Sequence, residues 1–160
     1  TYVSYTFSYY GEMLTYAGMS LPMAVFSFIA WLKNPFRGNK SEVSVNEGIT
    51  RGEYVFLIIL TAVVTAVFYF ILKFFNTANI VPSTISVTTS FAAIYLTFRR
   101  SPLYALAYAA NDIVLIVLWT LAAFKDASYF SVVICFAAFF ANDIYGYMNW
   151  KRISARQCAE

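Results

Sequence analysis

Five stretches of about 20 mainly apolar residues constrain this chain more than any other feature, because each is long enough to cross a bilayer as a helix. They lie at 10–32, 54–75, 80–98, 103–124 and 129–150. The chain is 61% hydrophobic and 12% charged, whereas a soluble domain carries roughly 25% charged residues. A water-soluble fold of this composition would expose more apolar surface than monomers tolerate. The apolar runs are continuous instead of alternating, so a strand-rich barrel is the poorer alternative. The expected fold is an all-α integral membrane protein, a transmembrane helical bundle.

Details of the spans refine this. The first contains Gly18 and Pro22, and the proline should kink it, with neighbouring helices satisfying the freed carbonyl. In the second, only Lys73 breaks the apolar run, close enough to the end to snorkel. Ser83, Thr84, Ser86, Thr88, Thr89 and Ser90 crowd the first half of the third. Small hydroxyl residues allow close helix approach, which places this segment inside the bundle. Ser101-Pro102 opens the fourth as an N-cap and first-turn proline. Residues 33–53 read as a solvated loop with turn signals at Asn34-Pro35 and Gly38-Asn39, and 153–160 as a polar tail. The chain opens with an aromatic stretch (Tyr2, Tyr5, Phe7, Tyr9, Tyr10) lacking the basic region of a signal peptide. Its start at Thr1 suggests a sequence that begins partway through a longer protein.

Basic residues give an orientation. If the spans alternate, Lys33, Arg37, Lys40, Arg51, Arg99, Arg100, Lys151, Arg152 and Arg156 share one side, leaving only Lys73 and Lys125 on the other. The positive-inside rule places the loop and the C-terminus in the cytoplasm. Trp31, Phe74, Phe75, Tyr129 and Trp150 at span ends fit interfacial anchoring. Glu12 lies near the outer end of the first span, within reach of water. A net charge of +3, scattered along the chain, gives no reason to expect nucleic acid. With no His, His-based metal sites and catalytic triads are excluded, and no cofactor is expected. Cys135, in an apolar run, reads as a buried structural thiol, and Cys158 lies in the tail.

Polar groups at membrane depth are costly and need partners, which makes them functional candidates. The same tetrapeptide, Ala-Asn-Asp-Ile, occurs at 110–113 and 141–144. Helical spacing joins Tyr108, Asn111, Asp112, Leu115 and Trp119 on one stripe. Asn142, Tyr145, Gly146 and Asn149 form another. Carboxamides beside aromatics suit a flat polar heterocycle, and a cationic one would gain cation–π attraction. Asp112 and Asp143 could instead glue helices or relay protons, and Asp143 could pair with Lys151 or Arg152. Trp119 could simply mark the interface.

Several separated motifs resemble one family. Trp31-Leu-Lys-Asn-Pro35, Asn76-Thr-Ala-Asn-Ile80-Val-Pro-Ser-Thr-Ile85 and Thr97-Phe-Arg-Arg-Ser-Pro102 are similar to the PnuC family of nicotinamide riboside transporters, in its Gram-positive branch. So are Ala107-Tyr-Ala-Ala-Asn-Asp-Ile-Val-Leu-Ile-Val-Leu-Trp119 and Asn142-Asp-Ile-Tyr-Gly-Tyr-Met-Asn-Trp-Lys-Arg152. The resemblance implies a SWEET-like bundle of two three-helix units joined by a linking helix, with the third to seventh helices present here. Residues 1–53 would then hold a helix of the first unit and a cytoplasmic loop, 54–75 the linking helix, 76–152 the second unit and 153–160 a cytoplasmic tail. It further implies facilitated uptake of nicotinamide riboside across the bacterial plasma membrane, trapping by a cytoplasmic kinase, a homotrimer and no enzymatic activity. By residue type, Asn111, Trp119 and Asn142 match the family's binding site, with Tyr108, Tyr145, Asn149 and Trp150 as further candidates. A Trp-x-x-Trp pair found in some members is absent, since Trp119 is followed by Thr120, Leu121 and Ala122. Thiamine or riboflavin transport, or a non-transporting membrane scaffold, are the alternative functions.

Overall fold

In the first membrane segment a π-helical turn, Thr15–Ser20, leads into helix α1, Leu21–Lys33. The computed structural model describes residues 13, 15–46, 48–77 and 79–159. The N-terminal aromatic stretch, Glu12 and the start of the expected first span lie outside the described residues. Pro22 falls at the first turn of α1, where a missing N–H is least disruptive. The proline therefore sits at the junction between a π and an α segment, within the first turn of the latter.

The segment expected to be a plain solvated loop contains a small antiparallel ribbon, β1 (Pro35–Phe36) and β2 (Asn39–Val43). Arg37 and Gly38 connect the strands, with φ of 47° and 80°. Positive φ at both central residues is what a tight two-residue hairpin turn requires. Helix α2, Arg51–Phe74, then starts at Thr50, whose hydroxyl accepts from the Glu53 amide at 3.3 Å. Only 17% of its most apolar window is buried, so α2 lies at the periphery of the described bundle.

Two left-handed residues close successive helices. Asn76 (φ 47°) ends α2, with Thr77 N bonding Leu72 O at 3.0 Å. Arg100 (φ 58°) ends helix α3, Ile80–Phe98, with Ser101 N bonding Leu96 O at 3.1 Å. Both are Schellman closures that satisfy orphan carbonyls without glycine.

Helix α3 is central, as its serines and threonines lead one to expect. It touches α1, α2 and helix α4, Leu103–Ala123, and buries Ser83, Ser86 and Ser90 together with Val87, Phe91 and Ile94. Met19, Leu72, Val87, Phe91 and Ile94 make one continuous core where α1, α2 and α3 meet.

Helix α5, Phe130–Ala159, follows a 3-10 turn at Ala127–Tyr129. Among the described helices it packs chiefly on α4. Its outer face is bare, and this corrects the reading of Cys135, which is exposed and not a buried thiol. A single packing partner shields only one stripe of a helix, and Cys135 lies outside that stripe. At 30 residues the helix is about 45 Å long, well beyond a hydrocarbon core of about 30 Å. It continues as helix to Ala159, through the segment read as a tail.

This extension meets the ribbon. The Gln157 carboxamide donates to Val43 O at 3.0 Å and to Glu42 Oε1 at 2.9 Å, and accepts from Val45 N at 2.9 Å. Arg156 pairs with the same Glu42 carboxylate. The Gln157 hydrogen bond, reinforced by Arg156, holds the Glu42 carboxyl below its usual range. A depressed folded value means the contact is at full strength above the ordinary glutamate pKa of about 4.3. It is lost as pH falls through the lower folded value. Protection of the Val45 amide against hydrogen exchange, relative to its intrinsic rate at each pH, should therefore fall below about pH 4, and Glu42→Gln should remove that pH dependence. A protection factor indifferent to acid in the wild type would contradict it.

Candidate functional site

The polar groups at membrane depth gather along α4, where it is held between α3 and α5. Asn111 is 6% exposed. Its Oδ1 accepts from Ser86 Oγ at 3.0 Å and Thr89 Oγ1 at 2.9 Å, both on α3. Small residues on α3 bring the helices close enough for this, and the two hydroxyls fix the carboxamide with its Nδ2 turned away from them. Asp112, 5% exposed, lies near enough to Asp143 of α5 for the two carboxyls to act on each other, and its Oδ2 has no hydrogen-bond partner among the described residues. Asn142 also reaches the Asp143 carboxyl. The repeated Ala-Asn-Asp-Ile thus has a structural meaning: antiparallel packing of α4 on α5 sets the two aspartates at one level. Asp143 faces Asp112, and among the described residues no ion pair links it to Lys151 or Arg152.

Toward the end of the bundle that carries the ribbon lies an aromatic cluster. Trp31 of α1 packs against Trp150 of α5 with ring centroids 5.3 Å apart and the ring planes tilted by 53°. Tyr104 of α4 meets Trp150 edge-on at 5.2 Å, Trp31 at 6.5 Å and Tyr108 at 6.2 Å. The Trp31 indole N–H donates to Thr97 O at 2.9 Å. These rings join α1 to α4 and α5, and the Asp143 carboxylate is near enough to act electrostatically on Tyr104 and Tyr108. A cavity of about 230 Å³ adjoins the cluster, lined by Ser27, Phe28 and Trp31 of α1, Ile94 and Thr97 of α3 and Tyr108 of α4.

The candidates from the sequence fall into three places. Tyr108, Asn111 and Asp112 lie on one buried or half-buried face of α4, and Trp150 joins them through the aromatic cluster. Trp119 lies toward the other end of α4, buried against Tyr129 at 5.5 Å in a core with Leu115, Leu118 and Ala122. Asn142, Tyr145 and Asn149 are exposed on a flank of α5 that the other described helices do not cover. Sequence reasoning passed over Tyr104 and Ser27 and treated Trp31 as an interfacial anchor only. The i, i+4 spacing of Tyr104 and Tyr108 was the one available signal.

Long apolar helices enclosing such a polar seam define a multi-pass helical membrane protein, with four described helices long and apolar enough to span a bilayer. A family model described as nicotinamide mononucleotide transporter matches residues 1–152, and the chain belongs to that family. It is 26% identical to the nicotinamide riboside transporter PnuC of Neisseria mucosa over 163 residues, 99% of this chain. The chain spans 62% of that relative's length. It is also similar to a crystal structure of the vitamin B3 transporter PnuC, with a TM-score of 0.78 and 25% identity, covering 98% of this chain and 68% of the other.

The meeting of Asp112 with Asp143 predicts measurable coupling. In a double-mutant cycle with Asp112→Leu and Asp143→Leu, the two losses of thermal stability should differ from additivity by about 0.5–2 kcal/mol. Strict additivity would mean that the carboxyls do not interact.

Proposed function

We propose that this protein takes part in the facilitated uptake of nicotinamide riboside across the bacterial plasma membrane. The observation that carries the reading is the charge of the polar seam. Two acidic side chains, Asp112 and Asp143, stand among tyrosines and tryptophans, and neither α3 nor α4 contains a lysine or arginine. A ribosylated pyridinium is a flat cation, suited to aromatic faces and nearby carboxylates. Adding a phosphate reverses its charge, and at membrane depth an anion needs cationic partners. The seam thus favours the riboside over the mononucleotide.

On this reading α2 is the linking helix and α3–α5 form one SWEET-like unit, which rocks against the unit containing α1. The ribbon and the C-terminus face the cytoplasm, as the basic residues favour. A cytoplasmic kinase traps the product, and the chain assembles as a homotrimer and catalyses no reaction. Asn111 contributes its Nδ2 to a ligand oxygen, because Ser86 and Thr89 already engage its Oδ1. Trp119, Asn142, Tyr145 and Asn149 would act where the remainder of the ligand contacts α4 and α5.

Calorimetry on the purified full-length protein tests this with nicotinamide riboside, nicotinamide mononucleotide, thiamine and riboflavin. The riboside should bind at micromolar or tighter levels, and the mononucleotide at least about tenfold more weakly, a difference of about 1.4 kcal/mol. Asn111→Ala should reduce riboside uptake sharply at unchanged membrane abundance. Preference for thiamine would keep the fold and change the ligand, and binding of none of the four would favour a scaffold.

A further inference from the structure

Helices α2 and α3 leave a groove of about 770 Å³ between them. Its walls include Ile58, Ala62, Ala66 and Phe70 of α2 and Thr88 and Ala92 of α3. Ile58 and Phe70 are 66% and 68% exposed, so the groove is open toward both ends. Its threonine hydroxyls are engaged within the protein. Thr84 donates to Ile80 O at 2.7 Å and Thr88 to Thr84 O at 3.0 Å, and Thr65 shares a 2.9 Å bond with Thr88. What the groove offers outward is apolar, and its form suits a hydrocarbon chain. The stretch from Ile58 to Phe70 is about 18 Å long, a little more than one leaflet of a hydrocarbon core about 30 Å thick.

One end of the groove leads to positive charge. Arg51, Ile58, Ala62, Thr65 and Tyr69 fall on one face of α2 by helical spacing, so Arg51 is in line with the groove. It is exposed, and among the described residues it has no ion pair. Arg99, at the facing end of α3, pairs with Glu53, and Arg100 follows it. Three arginines thus stand against one glutamate at this end of the α2–α3 pair, which is the end nearer the ribbon. The other end carries a single cation, Lys73, beyond Phe70. Arg51 lies about 10 Å from Ile58 along the helix axis. That sets it at headgroup level when the groove lies within the hydrocarbon core, because the headgroup layer begins where the core ends.

We propose that this groove docks an anionic glycerophospholipid, with one acyl chain between α2 and α3 and the phosphate at Arg51, beside the Arg99–Glu53 pair. Charge selects this occupant. Basic groups between transmembrane helices recruit anionic headgroups, whereas a second copy laid groove to groove would bring Arg51 against Arg51. A zwitterionic lipid offers the same chain without the net charge. The bound lipid adds apolar contact along a pair of helices that the Thr65–Thr88 bond joins near the middle of the groove. Thr88 lies on a different side of α3 from Ser86 and Thr89, which meet Asn111, so the lipid site is independent of whatever the polar seam carries.

The test is native mass spectrometry and thermal unfolding of the full-length protein in detergent micelles, with added phosphatidylglycerol or phosphatidylcholine of identical acyl chains. The wild type should retain phosphatidylglycerol in preference and melt at a higher temperature with it than with phosphatidylcholine. Arg51→Gln should weaken phosphatidylglycerol retention about fivefold, the scale of one arginine beside an anionic headgroup, and leave phosphatidylcholine retention unchanged. Lys73→Gln should keep the wild-type preference. Ala66→Leu, which fills the groove, should lower retention of both lipids, and the two exposed-site variants carry the test if it does not fold. Equal retention of the two lipids by the wild type overturns the proposal, as does a preference untouched by Arg51→Gln or abolished by Lys73→Gln. A folded Ala66→Leu protein that keeps both lipids also overturns it, and a fall in its oligomeric mass would then assign the groove to a second copy.

Discussion

The close approach of α3 to its neighbours is the constraint on which the rest of the structure depends. Lipid offers helices no hydrophobic reason to associate, so packing and hydrogen bonds must hold them together. Serine at 83, 86 and 90 gives α3 a narrow side, and narrowness lets α4 come near enough for Asn111 to bond both Ser86 and Thr89. On its opposite side, Thr65 of α2 bonds Thr88 at 2.9 Å. Trp31 of α1 is tied to Thr97 O. Every helix before α5 is thus referenced to α3, whereas α5 is placed chiefly by α4, with Trp150 against Trp31 of α1 and Gln157 on the ribbon as further ties.

That hierarchy explains how the polar seam is built. Antiparallel packing of α4 on α5 is what sets Asp112 beside Asp143, and the aromatic cluster closes one end because α1 and α5 both reach it. Hydroxyls and carboxyls lie at one level on different flanks of α4, since Asn111 and Asp112 are adjacent, and the rings stand toward the ribbon end. The α3–α4 contact uses neutral hydrogen bonds, the α4–α5 contact uses the acids, and the rings stand where α1 meets the other two. A planar cation passing through this arrangement would meet the rings at one level and the amide, hydroxyls and acids together at another.

Much of this was legible in the sequence because length and hydropathy act directly on helices in a bilayer. The spans at 54–75, 80–98 and 103–124 coincide with α2, α3 and α4 to within a few residues. The stripe of Tyr108, Asn111, Asp112, Leu115 and Trp119 is the inward face of α4, since helical periodicity fixes it without knowledge of the partner. What periodicity leaves open is which neighbour covers a face. Cys135 is exposed for that reason, and so are Asn142, Tyr145 and Asn149, which share the uncovered side of α5. The ribbon at 35–43 was hidden because its turn uses Arg37 and Gly38, a weaker signal than Asn-Gly. The helical continuation past Trp150 was hidden by its polarity, which a solvated helix shares with a coil.

The docking of Gln157 on the ribbon has a consequence for how the protein is made. Its carboxamide occupies the free edge of β2 as one more peptide unit would, joining Val43 and Val45 to a residue more than a hundred positions further along the chain. The ribbon emerges from the ribosome more than a hundred residues before Gln157. The strand edge therefore stays open over that interval and is covered only once α5 has been inserted in the correct direction. A chain whose α5 entered upside down would carry Gln157 to the opposite face of the membrane and leave that edge bare, so the contact distinguishes a correctly threaded molecule from a misthreaded one.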